Sequence, residues 1–268
     1  MVGFRNIVIP LFSENNFDLP FSKAVELVNG GETVIHLICL SYKYDEKNAL
    51  QICLEKANQL KYNNEILSDK IKIITNAFYD DNDNTGLKKY IVDNKIDLLI
   101  LLKKKANNIF SLHTWFRNHS INIKNMQCKI LFITKSCIEH TIKTILIPVN
   151  KSNCTKANLD FLISVAAQYK AQIHLVAMFE KDKKNNNVLD RFYQTYKLML
   201  LYGLDVHYQV IPFAFGKQYI LRYAYKHKID LLIMDQERKT FFSEFFDKPM
   251  QDCINPFSNY PLHLLLTQ

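Results

Sequence analysis

The sequence predicts an α/β protein made of two tandem, doubly wound domains, each a five-stranded parallel sheet with helices on both faces. Three observations carry this expectation. Segments recur at a long offset, the short apolar runs are continuous rather than alternating, and helical patterns separate one run from the next.

The recurrence comes first, because overlooking a repeat misassigns the whole fold. Ile7-Val8-Ile9-Pro10 matches Ile145-Leu146-Ile147-Pro148 at an offset of 138, and Val34-Ile35-His36-Leu37 matches Gln172-Ile173-His174-Leu175 at the same offset. Lys95-Ile96-Asp97-Leu98-Leu99-Ile100 returns as Lys228-Ile229-Asp230-Leu231-Leu232-Ile233 at an offset of 133. That second offset holds through Lys129-Ile130-Leu131-Phe132-Ile133-Thr134 and Leu262-His263-Leu264-Leu265-Leu266-Thr267. The second copy is therefore five residues shorter, with the loss between His174 and about Val206. A period this long is a whole domain rather than a solenoid unit. The chain of 268 residues divides into domains at 1–138 and 139–268, joined near Ser136–Thr141.

Within the first copy, β-branched runs at 6–11, 33–40, 71–77, 97–102 and 129–134 read as strands, and in the second copy those at 143–149, 171–178, 205–211, 230–234 and 262–266. Continuous apolar runs suit strands covered on both faces. Asp18-Leu19-Pro20 opens a first helix and Gly30 closes it, with proline inside the start and glycine past the end. Asp45 is the expected cap of a second helix carrying Ala49, Ile52, Cys53 and Leu60 on one face. Thr85 is the expected cap of a third, whose stripe of Leu87, Tyr90 and Ile91 recurs as Ile220, Tyr223 and Ala224. A fourth spans about 106–124, with Ile109, Leu112, Trp115 and Phe116 inward. Strict alternation of strands and helices calls for parallel sheets with right-handed crossovers.

Composition narrows the function classes. Hydrophobic residues at 48% and charged residues at 22% exclude a disordered chain. No apolar run reaches the roughly 18 residues of a spanning helix, and the opening MVGFRNIVIPLF lacks the shape of a signal peptide. The expectation is a cytoplasmic protein that binds no membrane. Net charge is +8, split evenly as +4 before and +4 after residue 138. No basic arm therefore points to nucleic acid. The six cysteines show no C-x-x-C spacing, and Cys137-x-x-His140 has no second pair. Neither disulfides nor a metal site is expected.

The I-x-I-P first strand, the second strand ending near Ile-His-Leu, the K-I-D-L-L-I fourth strand and the short closing strand give each copy a resemblance to a universal stress protein domain. The resemblance covers essentially the whole chain and is to the tandem form of that family. It implies an adenine nucleotide alpha-hydrolase-like fold in pseudo-two-fold arrangement, a role in stress response, and association through closing strands. A homodimer or an intramolecular pseudo-dimer pairing 129–134 with 262–266 is the implied assembly, with the protein partner unknown.

Nucleotide-binding members of that family carry an Asp after the first strand and a glycine motif, G-x-x-G then G-S or G-T, after the fourth. This sequence has Phe12 and Asn150 at the first place. After the fourth strands it reads Lys103-Lys104-Lys105-Ala106-Asn107-Asn108 and Asp235-Gln236-Glu237-Arg238-Lys239, and no glycine occurs from Leu87 to Tyr202 or after Gly216. Glycines let backbone N–H groups close on phosphates. The expectation is therefore a non-catalytic protein without a cofactor. The alternative is an ATP- or AMP-binding sensor using Lys103 or, in the second copy, Asn150, Lys151, Arg238 and Lys239 as an anion crevice.

No catalytic constellation is expected. His36 and His174 take matching places on apolar strands, as core or crevice histidines do. Asp97 and Asp230 are expected to fix strand starts. Ser13 and Ser152 lack a nucleophile elbow. Asp80, Asp81 and Asp83 lack the register of a calcium loop and lead into the third helix. Phe241, Phe242, Phe245 and Phe246 form a stripe of large rings, read as core with association as the other reading.

Overall fold

The structure is a computed structural model and describes residues 4–12, 17–28, 31–42, 47–64, 69–81, 84–103, 126–134, 141–149, 156–179, 186–212, 216–235 and 263–267. Two compact units emerge. One takes in the described residues through the last strand of the first copy, and the other those within Glu139–Gln268.

In the first unit, β1 (Asn6–Leu11), α1 (Asp18–Glu26), β2 (Thr33–Ser41), α2 (Lys47–Asn64), β3 (Ile71–Tyr79), α3 (Thr85–Asp93), β4 (Leu98–Lys103) and β5 (Lys129–Thr134) follow in order. The strands lie as β3-β2-β1-β4-β5, every pair parallel. Ile7 stands opposite both Ile35 and Leu98, so strand order reverses between β1 and β4. The second unit repeats this with β6 (Thr144–Val149), α4 (Lys156–Tyr169), β7 (Gln172–Phe179), α5 (Asn186–Leu201), β8 (Val206–Pro212), α6 (Gly216–Lys226), β9 (Leu231–Asp235) and β10 (His263–Thr267). Its order is β10-β9-β6-β7-β8, again parallel. Consecutive residues Ile7, Val8 and Ile9 are all buried, as are Ile145, Leu146 and Ile147. Helices on both faces impose this, and it is why the strands read as unbroken apolar runs.

Two helix details differ from the sequence expectation. Ile52 is half exposed, and the inward face of α2 is Cys53 with Ala57 instead. Thr85 is not the cap of α3. The cap position is Asn84, in the left-handed region at φ 55°, and its side chain makes no capping bond. The acidic residues upstream do that work, as described below. Gly30, Asp45, the helix expected at 106–124 and the Phe241–Phe246 stripe lie outside the described residues.

The repeated Lys-Ile-Asp has a structural explanation at each position. Lys95 ends α3 at φ 48° and Lys228 ends α6 at φ 50°. Ile96 N–H donates to the Ile91 carbonyl at 2.9 Å, and Ile229 N–H to the Ala224 carbonyl at 2.9 Å. The lysine amides donate one residue inside these bonds, to Val92 and Tyr225, which completes a Schellman end. Both isoleucines are buried and fasten the turn to the core. Asp97 Oδ2 then accepts from the Arg5 and Asn6 amides at 2.8 and 2.9 Å. Asp230 Oδ2 accepts from the Lys143 and Thr144 amides at the same distances. The aspartate backbone continues the stitching. Asp97 N–H donates to Asn6 and its carbonyl accepts from Lys129, just as Asp230 joins Thr144 and His263.

Lys170 ends α4 the same way at φ 50°, whereas α5 ends on Gly203 at φ 71°. A left-handed L-residue carries a steric cost that glycine avoids. Lys95→Gly and Lys228→Gly should therefore each raise stability by about 1 kcal/mol, read from urea unfolding midpoints.

Candidate functional site

In this topology a ligand crevice opens at the carboxyl ends of the strands, between β1 and β4 in the first unit. The residue leaving β1 there is Phe12, whose ring stacks on Tyr42 with centroids 6.1 Å apart. Tyr42 leaves β2 and donates its hydroxyl proton to Asn84 Oδ1 at 2.8 Å. Burial first, and then the charges of Asp80 and Asp81, push the Tyr42 phenol up. The rim is thus aromatic and closed by its own hydrogen bonding. Among the described residues, the position directly after β1 is Phe12 and not a carboxylate.

Behind Tyr42, Asp80 and Asp81 cap α3, and Asp83 lies outside the described residues. Asp80 is buried and accepts the Gly86 amide on Oδ1 at 2.9 Å and the Leu87 amide on Oδ2 at 3.0 Å. Asp81 accepts the Thr85 amide at 2.9 Å and the Thr85 hydroxyl. The amide protons that an anion would need at this helix start are already bound to carboxylates. Gly86 is required by this packing, since a Cβ there would meet Asp80 Oδ1 at 2.9 Å. Gly86→Ala should displace the carboxylate and cost about 2 kcal/mol, measurable as a lowered thermal midpoint.

The two histidines are core groups, each tied to the helix behind its strand. His36 Nδ1 lies 2.9 Å from the Tyr90 hydroxyl, and His174 Nδ1 lies 2.9 Å from that of Tyr223. His174 Nε2 also faces Gln172 Oε1 at 3.1 Å. A carbonyl oxygen only accepts, so Nε2 carries the proton and the Tyr223 hydroxyl donates to Nδ1. Burial holds His36 down to about 4. Burial, then His227 and His207, hold His174 down to about 4, against a smaller opposing pull from Asp205. The rings of His207 and His227 lie 5.4 and 5.3 Å from that of His174, and Tyr223 stacks on His227 at 4.1 Å. These groups gather at the amino-terminal ends of β7 and β8, away from the crevice.

Of the candidate anion ligands, Lys103 is the last residue of β4, in register with Thr134. Lys104, Lys105, Asn150, Lys151, Arg238 and Lys239 lie outside the described residues. Among the described residues no group of three or more His, Cys, Asp or Glu side chains is placed to hold a metal ion, and no helix is long and apolar enough to cross a membrane. Sequence reasoning missed the Phe12–Tyr42–Asn84 rim, the histidine trio and a thiol pair at Cys39 and Cys53. The spacing of His207 and His227 carried no signal, because the crossover through α5 pairs His207 with His174 and α6 then returns His227 to the same place.

No family model and no curated protein matches the sequence. Solved structures do match. A universal stress protein from Archaeoglobus fulgidus DSM 4304 superposes at a TM-score of 0.65 with 9% identity, covering 98% of this chain and 96% of that one. A putative universal stress protein from Pseudomonas aeruginosa UCBPP-PA14 gives 0.60 with 13% identity, covering 98% and 92%. The chain has the universal stress protein fold. It carries that fold twice, as two tandem domains along one polypeptide. A functionally unknown protein from Pseudomonas aeruginosa PAO1 is also similar, at a TM-score of 0.59 and 15% identity over 98% and 92% of the two chains. Within the universal stress protein fold, the repeated residues that first suggested it (I-x-I-P, the strand histidine and Lys-Ile-Asp) all serve the scaffold.

Proposed function

We propose that this is a non-catalytic universal stress protein-like protein, acting in a cytoplasmic stress response through association and without nucleotide turnover. The observation that carries the reading is the crevice rim of the first unit. Phe12 stacked on Tyr42 occupies the place of a ribose-binding carboxylate, and the amides at the start of α3 are bound to Asp80 and Asp81. These residues offer an adenine nucleotide neither a carboxylate directly after β1 nor free amides at the start of α3, which supports the reading. Fold alone does not assign activity; this site and the missing glycines after both fourth strands support the reading.

Association through strands is the natural use of the fold. Within each unit the closing strand, β5 or β10, is terminal in that unit's order, and terminal strands reward a strand partner, in a second copy or within a pseudo-dimer. Calorimetry with ATP and with AMP, light scattering in solution and a hydrolysis assay test the proposal together. The expected outcome is no heat of binding at millimolar nucleotide and no turnover, with a defined oligomeric mass. The second reading, an ATP or AMP sensor, rests on Asn150, which puts no aromatic ring after β6. Nucleotide binding that disappears in Arg238→Ala with Lys239→Ala would replace the first reading by the second.

A further inference from the structure

We propose that Cys39 and Cys53 form a buried dithiol that a peroxide converts to a disulfide, joining β2 to α2 in the first unit. Cys39 lies near the carboxyl end of β2, in register with Leu11 on β1 and Ala77 on β3. Cys53 is on the inward face of α2 beside Ala57. Both residues are buried, and both thiols are free. Their side chains interact across the strand–helix interface, where α2 packs on β2. Lys56 lies one turn beyond Cys53 and holds its ammonium 6.0 Å from the centre of the Phe17 ring.

This pairing divides the roles. The interaction with Cys39, aided by Lys56 and opposed by burial, favours the Cys53 thiolate, while the same interaction and burial push the Cys39 thiol up. The thiolate is the nucleophile. Cys53 sulfur attacks one oxygen of hydrogen peroxide, an S–O bond forms, the O–O bond breaks, and hydroxide leaves. Cys39 gives its proton to that hydroxide, and its sulfur attacks the sulfenic sulfur. The S–S bond forms as the S–O bond breaks, and a second water departs once the leaving oxygen is protonated. Two thiols lose one electron each and the peroxide gains two.

The second unit serves as an internal contrast. Ala177 takes the register place of Cys39, opposite Val149 as Cys39 is opposite Leu11. Cys128 differs too, since burial chiefly pushes its thiol up to about 12.

The test treats the folded full-length protein with hydrogen peroxide, unfolds it in excess iodoacetamide, digests it without reductant and maps the peptides by mass spectrometry. The expected product is a Cys39–Cys53 cross-linked peptide pair that separates on reduction, with Cys128 alkylated. Cys53→Ala should leave Cys39 alkylated, and Cys128→Ser should leave the cross-link unchanged. Three results would overturn the proposal: both thiols alkylated at peroxide levels that oxidise them in the urea-unfolded chain, Cys53 recovered as sulfinic acid with Cys39 free, or Cys39 joined to another cysteine.

Discussion

Replacing Asp230 by alanine should lower the stability of the second unit by about 2–3 kcal/mol, among the largest losses open to a single surface-proximal residue. One carboxylate oxygen there accepts the Lys143 and Thr144 amides at 2.8 and 2.9 Å and the Thr144 hydroxyl at 3.0 Å. Truncation leaves two strand-entry amides without their charged acceptor, and water replaces it only partly at the half-buried Thr144. Asp230→Asn retains an oxygen acceptor and should lose roughly half as much. Asp97→Ala should weaken the first unit similarly, through the Arg5 and Asn6 amides. Urea unfolding followed by hydrogen exchange on β6 and β1 separates the two effects. An unchanged midpoint for Asp230→Ala would mean that the strand start holds without the carboxylate.

Acid should destabilise the protein through its two core histidines. Both are held down to about 4 in the folded state, chiefly by burial, against about 6.5 for an unfolded chain. The folded state therefore binds fewer protons than the unfolded state between these values. Stability is complete above about pH 6.5, falls as the pH drops toward 4, and loses nothing further from these groups below that. A shift of this size corresponds to at most about 3 kcal/mol per histidine. The second unit should be the more sensitive. Burial, then Lys226 and His207, also hold His227 down, so two imidazoles with lowered proton affinity, His174 and His227, lie side by side in this unit. In the first unit Ile74 takes the register place of His207, and Asn94 the repeat position of His227. His36→Gln with His174→Gln should flatten the dependence of the urea midpoint between pH 7 and 5. The same slope in variant and parent would show that other groups set it.

Much of this architecture is legible in the chain because its period is covalent. The offsets of 138 and 133 locate every described strand to within one or two residues, since apolar runs covered on both faces leave a dense local signal. Lys-Ile-Asp is equally local: a left-handed turn, an anchor and a strand-start acceptor follow one another along three residues. Ile52 and Thr85 mark the limit. Periodicity gives a helix its stripe only to within a residue, and cap geometry depends on carboxylates arriving from the preceding loop.

What lies across the sheet had no such signal. Tyr42 meets Phe12 and Asn84 because parallel neighbours end side by side, although 30 and 42 residues separate the partners in the chain. Cys39 meets Cys53, and His174 meets His207 and His227, only after a crossover returns the chain to the same face. The alternation of apolar runs is enough to choose a doubly wound fold, because burial on two faces constrains consecutive residues. Which side chains then share a crevice is a matter of register and crossover, and those are settled when non-local strands pack.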